Sequence, residues 1–390
     1  MDNQKEVEAM SLLEKVYTEE HRIFRNSLKK YLEKNVVPYV EQWEEAGIVP
    51  RQAWKDFGDQ GYLCTWLPEE YGGSGVGFEY SIIIIEEMER TNQLGFVAPL
   101  HSDVVVPYIY SFGTEEQKRR WLPGCASGDI ITAVAMTEPE AGSDLASIRT
   151  TAVKDGDDYI INGQKTFISN GILCDIVIVA ALTNPESPHS GMSLIVVEDG
   201  TPGFVKGRKL DKIGMKSQDT SELFFEDCRV PASNLLGEGG SGFKQLMEKL
   251  QQERLVSAWG SQIMAELALE YTIEFTKSRV AFGRPISRFQ HNSFKLAEMA
   301  TEVELGRTFI EALTLDHMEG KNIVKKVSMA KYWISEMANR IAQQGVQLHG
   351  GYGYMEEYPI ARLFRDVRIQ TIFAGTSEIM KLIISRMMNL

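Results

Sequence analysis

The chain has 390 residues, of which 43% are hydrophobic and 24% are charged. This balance is typical of a soluble globular protein, and the length predicts two or three domains. The formal net charge of −13 makes nucleic acid and anionic membrane surfaces unfavourable ligands, because both carry dense negative charge. No apolar run reaches the ~20 residues that a membrane-spanning helix needs.

The cysteines and the N-terminal segment indicate the compartment. None of the four cysteines is in a C-x-x-C pair or a cluster with histidine: Cys64, Cys125, Cys174 and Cys228. They are expected to be reduced thiols, and no metal site is predicted. Residues 1–10 are polar and resemble neither a signal peptide nor an Arg-rich transit peptide. We therefore expect a bacterial cytoplasmic protein, or a mitochondrial matrix protein already trimmed of a presequence.

Residues 1–129 are predicted to form a helical domain. Apolar residues recur near the helical period across 14–36, and a buried helix is expected at 82–88. Thr114 and Gln117 form a capping-box pattern at the start of a further helix.

Residues 130–236 are predicted to form a β domain. They contain short β-branched runs at 176–182, 193–197 and 220–225. Between the runs lie turn signals, namely Asp155-Gly156, Asn162-Gly163 and Thr201-Pro202-Gly203.

Residues 237–390 return to helices that are long enough for a bundle, including 296–315 and 328–348. The first of these helices begins near Gly242, and one apolar stripe along it contains Phe243, Leu246, Met247 and Leu250. The fold class is therefore α+β, with helices, then a β domain, then a helical bundle.

The first informative segment is Ala135–Asp144, with the sequence AMTEPEAGSD, at the change from helix to sheet. Glycine and small hydroxyl residues let backbone amides approach a ligand closely. A polar interdomain loop would explain the same residues.

The second informative segment is Gln347–Tyr354, with the sequence QLHGGYGY, followed by Glu357, Arg362 and Asp366. Two adjacent glycines after a helix permit close backbone approach to a diphosphate, although a Gly-rich helix C-cap also fits. No βαβ unit surrounds the segment, so a Rossmann domain is rejected.

The third segment is Phe373–Glu378, with the sequence FAGTSE, before the last predicted helix. Thr376 or Ser377 can cap that helix, and the free amides of its first turn favour an anion. A helix cap alone needs no cofactor.

On these residues the chain resembles the acyl-CoA dehydrogenase family along essentially its whole length. The segments 135–144 and 347–366 match both signature patterns of that family. Further segments are similar to its long-chain branch, at 165–171, 207–210, 221–227, 252–255 and 329–333. The resemblance implies a β-barrel-like middle domain, a C-terminal four-helix bundle, and FAD-dependent α,β-dehydrogenation of an acyl-CoA to the trans-2-enoyl-CoA.

The resemblance also implies a non-covalent FAD in each subunit. Residues that would line the flavin, with Ser143 also approaching the acyl-CoA, are Val134, Met136, Thr137, Gly142, Ser143, Phe167, Ile168 and Ser169. Many relatives carry tryptophan at the position of Phe167. Residues that would hold the diphosphate end are Arg279, Phe282 and Gln290 of a neighbouring subunit, with Gln347, Gly350 and Gly351. Thr376 and Glu378 would complete the contacts. From the residues alone, Arg279 could instead form a surface salt bridge.

The position of the catalytic base departs from many family members. They place a glutamate before the Gly-Thr of the third segment, where this chain has Ala374. The alternative is Glu253, near the apolar stripe, where desolvation would raise the pKa of its carboxyl. A solvated pair with Lys249 is the competing interpretation. The long-chain and isovaleryl branches supply their base from the position that matches Glu253, which favours catalysis.

The remaining implied roles concern substrate and partners. Arg254, Ala374 and Gly375 would contact the acyl-CoA, with the Ala374 amide as a donor to the thioester oxygen. Asp103 lies where some cyclic-acyl relatives have acidic catalytic groups, but a solvated or capping role is expected. Electrons would pass to an electron-transferring flavoprotein, and the chain would form a homotetramer. An oxygen-reactive oxidase or monooxygenase and a non-enzymatic acyl-CoA-binding scaffold are the alternatives. The sequence leaves acyl chain length open.

Overall fold

The computed structural model describes residues 11–184 and 191–390. The described chain divides into two compact units, one comprising residues up to Lys30 with Ser257–Leu390 and the other comprising Tyr31–Val256. The N-terminal residues 1–10, used above to predict the compartment, lie outside the described residues.

Helices dominate the first third of the chain, as predicted. Their bounds are α1 Glu19–Asn35, α2 Val40–Ala46, α3 Arg51–Asp59, α4 Phe78–Arg90, α5 Val106–Phe112 and α6 Glu115–Ser127. The predicted capping box is confirmed at α6, where Thr114 and Gln117 each bond the other's backbone amide. Helix α1 begins later than expected because a short 3₁₀ turn, Leu13–Lys15, and an irregular stretch precede it.

The predicted β domain is a seven-stranded sheet. Its strands are β1 Thr132–Ala135, β2 Thr151–Asp155, β3 Asp158–Ser169, β4 Ile176–Leu182, β5 Met192–Glu198, β6 Phe204–Lys209 and β7 Thr220–Pro231. The order is β1-β4-β2-β3-β7-β6, with β5 also paired to β4. Every residue of β4 and nearly every residue of β5 is buried. Their continuous apolar runs form the centre of the core, as expected for strands covered on both faces.

The predicted turn at Asn162-Gly163 is wrong, because both residues lie inside the long strand β3. The pairing of β3 with β7 shifts register between Ile161 and Gly163, which is a β-bulge. A Cβ on Gly163 would lie 2.4 Å from the hydroxyl of Thr150. Glycine is needed there because the backbone of Thr150 packs closely against it. An Asn-Gly dipeptide in a sequence fits both a turn and such a close approach within a strand.

The last third is helical, with bounds α7 Gly242–Ser278, β8 Val280–Ala281, β9 Arg284–Pro285, α8 Gln290–Met318, α9 Val324–His349, α10 Pro359–Val367 and α11 Ser377–Met387. Helix α9 packs against α8, α10 and α11. The indole of Trp259 on α7 donates to Thr314 on α8 at 2.8 Å. The predicted helical bundle is confirmed, whereas the boundaries at 129/130 and 236/237 stay predictions.

No helix among the described residues is both long and apolar enough to span a membrane. Across 11–184 and 191–390, no group of three or more His, Cys, Asp or Glu side chains could hold a metal ion. All four cysteines are free and buried.

Candidate active site

In the unit Tyr31–Val256, the first group of predicted site residues follows strand β1. Ala133 and Ala135 are buried, whereas Val134 and Met136 are partly exposed. Alternate residues of a strand point to opposite faces, so Val134 and Met136 share the accessible face. Thr137 is also partly exposed, and Gly142 and Ser143 are exposed. No heavy atom lies within 4 Å of a Cβ built on Gly142, so open space adjoins that backbone.

A buried ion pair fixes the start of this loop. The Lys165 ammonium donates to Glu138 at 2.7 Å and to the carbonyl of Met136 at 3.1 Å. Glu138 also accepts the backbone amides of Arg149 and Thr150. Burial lowers the pKa of Lys165 to about 8, although Glu138 opposes that shift. Burial alone would raise the pKa of Glu138, but Lys165 and the amides hold it below its ordinary value. Both groups therefore stay charged near neutral pH.

Strand β3 carries Phe167, Ile168 and Ser169 past a second register shift, between Lys165 and Ile168. Phe167 has a left-handed φ of 59° and is 67% exposed. Such a conformation is strained for a bulky residue, and strain of this kind is common at functional sites. Ser169 is partly exposed, but the Ile168 side chain lies in the core of the sheet. Only the backbone of Ile168 is left to contact a ligand.

Glu253 lies in the buried part of α7 and is 6% exposed. Its Oε1 accepts a hydrogen bond from the hydroxyl of Tyr108 on α5 at 2.6 Å. Burial raises the pKa of Glu253 to about 7, although Tyr108 and Arg254 oppose the shift. The alternative pairing with Lys249 is wrong, because Lys249 contacts Glu248 instead. A carboxyl that titrates near neutral pH is suited to removing a proton from a weak carbon acid.

Two details of α7 refine this picture. Leu246 and Leu250 are buried as predicted, but Met247 is 38% exposed, since it lies about 100° around the helix from Leu246. Arg254 is 5% exposed, and its Nε has no hydrogen-bond partner in the described structure. Burial lowers the pKa of Arg254, while the nearby Glu253 raises it. A buried guanidinium with an unsatisfied donor fits a ligand acceptor.

The expectation that Asp103 is solvated is wrong. It lies in a π-helical segment, Leu100–Val105, and is 2% exposed. Its carboxyl accepts from Ser81 at 2.6 Å, and its backbone carbonyl accepts from Gln252 at 2.8 Å. Burial raises the pKa of Asp103 to about 7. Contacts to Ser81 on α4 and Gln252 on α7 bury this segment. A single acidic residue in the sequence does not indicate such contacts.

In the unit that contains Ser257–Leu390, several predicted residues line one groove of about 420 Å³. Among its lining residues are Phe275, Arg279, Gln347, Gly350, Gly351 and Tyr352. Gly350 has φ 60° and ψ −137°, a conformation open essentially only to glycine. Within residues 11–184 and 191–390, no heavy atom outside the immediate chain neighbours lies within 4 Å of a Cβ built on Gly350 or Gly351. The backbone is therefore accessible along the groove.

Arg279 supplies the cation of this groove. Its guanidinium lies 5.4 Å from the centre of the Tyr352 ring. Within the described residues it has no carboxylate partner, so the surface salt bridge considered for it is not formed. A guanidinium with free donors beside open backbone suits a phosphate.

A two-stranded hairpin, β8–β9, presents Phe282 at its tip. Phe282 and Gly283 both have positive φ, 51° and 80°, as a two-residue hairpin turn requires. Phe282 is 96% exposed, although its ring centre is 6.1 Å from that of Phe289. Gln290 is exposed at the first residue of α8. Phe282 is therefore an exposed aromatic residue in a strained backbone conformation.

Ala374 and Gly375 form a second strained turn, with φ 51° and 91°. The buried ammonium of Lys331 on α9 donates to the Gly375 carbonyl at 2.6 Å. This bond holds the peptide group between Gly375 and Thr376, at the end of the strained turn.

Thr376 caps α11 by accepting the amide of Ile379 at 3.3 Å, as predicted. Glu378 is exposed, and hydrogen bonds from its own amide and from Thr376 hold the pKa of its carboxyl below its usual range. Its charge already occupies the positive end of the helix. The negative charge of Glu378 therefore makes this end of α11 less favourable for an anion than the sequence alone suggested.

The residues present fit the cofactor that the resemblance implies. The groove offers a guanidinium and accessible glycine backbone for a diphosphate. The β domain offers accessible side chains at Phe167 and Ser169 and open backbone at Gly142. The sequence did not point to Tyr108, and it gave no role to Lys165, Glu138 or Lys331. Lys165 and Lys331 lie in the segments 165–171 and 329–333, which resemble the long-chain branch, and this placement was a signal that the two lysines have a role. Tyr108 lies in none of the segments that carry the resemblance.

Three family models match the chain, namely the acyl-CoA dehydrogenase N-terminal domain over 18–129, the middle domain over 133–228 and the C-terminal domain over 240–389. The mitochondrial long-chain specific acyl-CoA dehydrogenase of Sus scrofa is 48% identical over 96% of this chain and 87% of its own length. The crystal structure of an acyl-CoA dehydrogenase from Geobacillus kaustophilus superposes with a TM-score of 0.94 at 56% identity, covering 96% of this chain and 99% of that chain. A chain in the structure described as the electron transferring flavoprotein of Acidaminococcus fermentans superposes with a TM-score of 0.91 at 38% identity, covering 95% and 98%.

Proposed function

Because the chain belongs to the acyl-CoA dehydrogenase family, whose members are flavoprotein oxidoreductases acting on CH–CH groups, we propose that it binds FAD and oxidises a medium, long or bulky acyl-CoA to the trans-2-enoyl-CoA. Glu253 is its catalytic base. The observation that carries this proposal is the geometry around Glu253, a buried carboxyl on α7 that is 2.6 Å from the Tyr108 hydroxyl and adjacent in sequence to Arg254, whose Nε is an unsatisfied buried donor.

The base removes the α-proton, and desolvation makes it strong enough to do so. In water a glutamate is a weak base, because its conjugate acid has a pKa near 4.3. Burial raises the pKa of Glu253 to about 7. The carboxylate form is still present at neutral pH, so the residue combines useful basicity with the correct protonation state.

Other groups stabilise the charge that develops on the thioester oxygen. The amide of Ala374 is the proposed protein donor, and it lies in a strained turn whose Gly375 carbonyl is held by Lys331. Arg254 offers an unsatisfied buried donor that orients the ester. The proposed role of Ala374 as a hydrogen-bond donor needs only its backbone amide. Alanine can therefore occupy the position where many relatives have glutamate, provided that Glu253 is the base.

Each of the two units offers predicted contacts for FAD. When bound, FAD supplies the hydride acceptor for the β-carbon. Arg279, together with Phe282 and Gln290, would bind the diphosphate end of the FAD of a neighbouring subunit, joined by Gln347, Gly350 and Gly351. The predicted residues on and after β1 and at the end of β3 would contact the ring system, and Thr376 and Glu378 would complete the contacts. Phe282 and Gln290 would reach a neighbouring subunit, which the exposure of Phe282 supports. A homotetramer and an electron-transferring flavoprotein as acceptor complete the proposal, the latter supported by the solved structure described in those words.

Substitution of Glu253 by Gln tests the assignment of the base. Gln keeps the size and polarity but accepts no proton, so anaerobic flavin reduction by a panel of acyl-CoAs should fall by about 10² to 10⁴. FAD content and thermal unfolding should change little. The matched control is Glu248→Gln, an exposed carboxyl on the same helix, which should leave reduction unchanged.

Normal bleaching by Glu253→Gln would mean that the base is elsewhere. No bleaching of the parent enzyme by any acyl-CoA would reject the dehydrogenase function itself. Rapid reoxidation of product-bound enzyme in air would indicate an oxidase.

A further inference from the structure

The strongest unassigned contact near the proposed base is the one made by Tyr108. Its side chain is fully buried on α5, and its hydroxyl is 2.6 Å from Oε1 of Glu253. That distance is typical of a charge-assisted O–H···O⁻ bond. Burial, and then the charge of Glu253, raise the pKa of Tyr108 well above its usual value. The phenol therefore stays protonated and can act only as a donor to the carboxylate.

We propose that Tyr108 is a positioning residue for Glu253, holding one carboxylate oxygen by a hydrogen bond so that the other is directed to the substrate α-proton. This inference rests on the proposed role of Glu253 as the base. It adds a second function to Tyr108, namely setting the pH at which the base becomes active.

The direction of that second effect follows from the charge on the acceptor. A phenol donates a stronger bond to a carboxylate than to a carboxylic acid, so Tyr108 stabilises the deprotonated form. Burial raises the pKa of Glu253, and the Tyr108 bond and Arg254 both lower it. Without the Tyr108 hydroxyl, the pKa of Glu253 would rise further.

In the described part of the chain, two groups are found to lower the pKa of Glu253. Tyr108 faces it from α5, and Arg254 follows it on α7. Asp103 is the next buried carboxyl, but its own donor is Ser81, and only its backbone carbonyl contacts α7 through Gln252. Because Asp103 also has a pKa of about 7, the test must distinguish the two carboxyls.

The test is Tyr108→Phe in the FAD-loaded enzyme, compared over pH 6 to 10. The midpoint of the pH–rate curve for flavin reduction should move upward by about one to two pH units, the size expected for one charge-assisted hydrogen bond. The rate at pH 7 should fall by about 5- to 50-fold and recover at high pH. A readout independent of activity is infrared difference titration of the carboxyl stretch, with Glu253→Gln used to identify the Glu253 band.

Two controls give the result its meaning. Tyr110→Phe removes a hydroxyl from the same helix, away from Glu253, and should not move the midpoint. Asp103→Asn should leave the infrared band of Glu253 in place. Incorporation of difluorotyrosine at position 108 makes the phenol a stronger donor, so the midpoint should move downward.

In one outcome, Tyr108→Phe lowers the rate equally at every pH and moves neither the midpoint nor the infrared band of Glu253. That outcome would show that Tyr108 only packs against its neighbours, and it would overturn this inference. If Tyr108→Phe fails to fold, the difluorotyrosine enzyme provides the test. If its midpoint does not move downward, the inference is overturned. An enzyme in which Glu253→Gln bleaches normally would instead overturn the proposed function, so the two failures are distinguishable.

Discussion

The two units differ in how they hold the charged groups proposed for chemistry and for cofactor binding. In Tyr31–Val256, the key polar groups are buried and bonded to other residues of the same unit, as in the pair Lys165–Glu138 and in Glu253 with Tyr108. In the unit with Ser257–Leu390, Arg279 and Phe282 are exposed, and open space adjoins the backbone of the groove. Burial changes the pKa of a group and prepares it for chemistry, whereas exposure leaves it free for a cofactor or a neighbouring subunit.

The largest effect is expected when a buried charge of the unit Tyr31–Val256 is removed. Lys165→Met leaves the Glu138 carboxylate buried without its cation, so the free energy of unfolding should fall by about 3 to 5 kcal/mol. Urea denaturation measures this, and FAD content should fall with it, because the Met136 carbonyl loses its donor. The exposed pair Arg149–Glu140 is the control, and Arg149→Ala should cost less than about 1 kcal/mol. Equal losses in the two variants would contradict the distinction between buried and exposed groups.

A smaller effect is expected on the exposed side. Arg279→Ala removes a cation that is proposed to bind the diphosphate, which should weaken FAD retention by about 1.5 to 3 kcal/mol. Enzyme that still carries FAD should reduce it at nearly the normal rate, and unfolding of the apoprotein should be unchanged. Lys277→Ala removes a neighbouring exposed cation on α7 and serves as the control. The measurement is the loss of FAD during dialysis under conditions that remove the cofactor. If Arg279→Ala and Lys277→Ala lose FAD equally, Arg279 is not at the cofactor.

The smallest effect tests backbone strain. Ala374 has φ 51°, which glycine adopts without a Cβ clash, so Ala374→Gly should stabilise the protein by about 1 kcal/mol in thermal unfolding. Flavin reduction should slow a few-fold, because the amide donor is less firmly oriented. Ala297→Gly, on an exposed face of α8, should instead destabilise by about 1 kcal/mol. A faster reaction in Ala374→Gly would show that the strain does not serve the donor.

The sequence by itself determined the family and the order of helices, sheet and bundle. Those features depend on local signals, such as the period of apolar residues, the Thr114 capping box and the signature segments 135–144 and 347–366, and the structure and the family models confirm them. The choice of Glu253 over a surface pair also came from the sequence through the family resemblance, and its burial supports that choice.

Only the tertiary structure decided how the groups are paired and solvated. Tyr108 and Glu253 are 145 positions apart, and Lys331 and Gly375 are 44 apart. The burial of Asp103 and the bulge at Gly163 likewise depend on neighbours that are distant in the chain. Local patterns give the face of a helix or strand on which a residue lies, but the pKa of a carboxyl depends on every group packed around it.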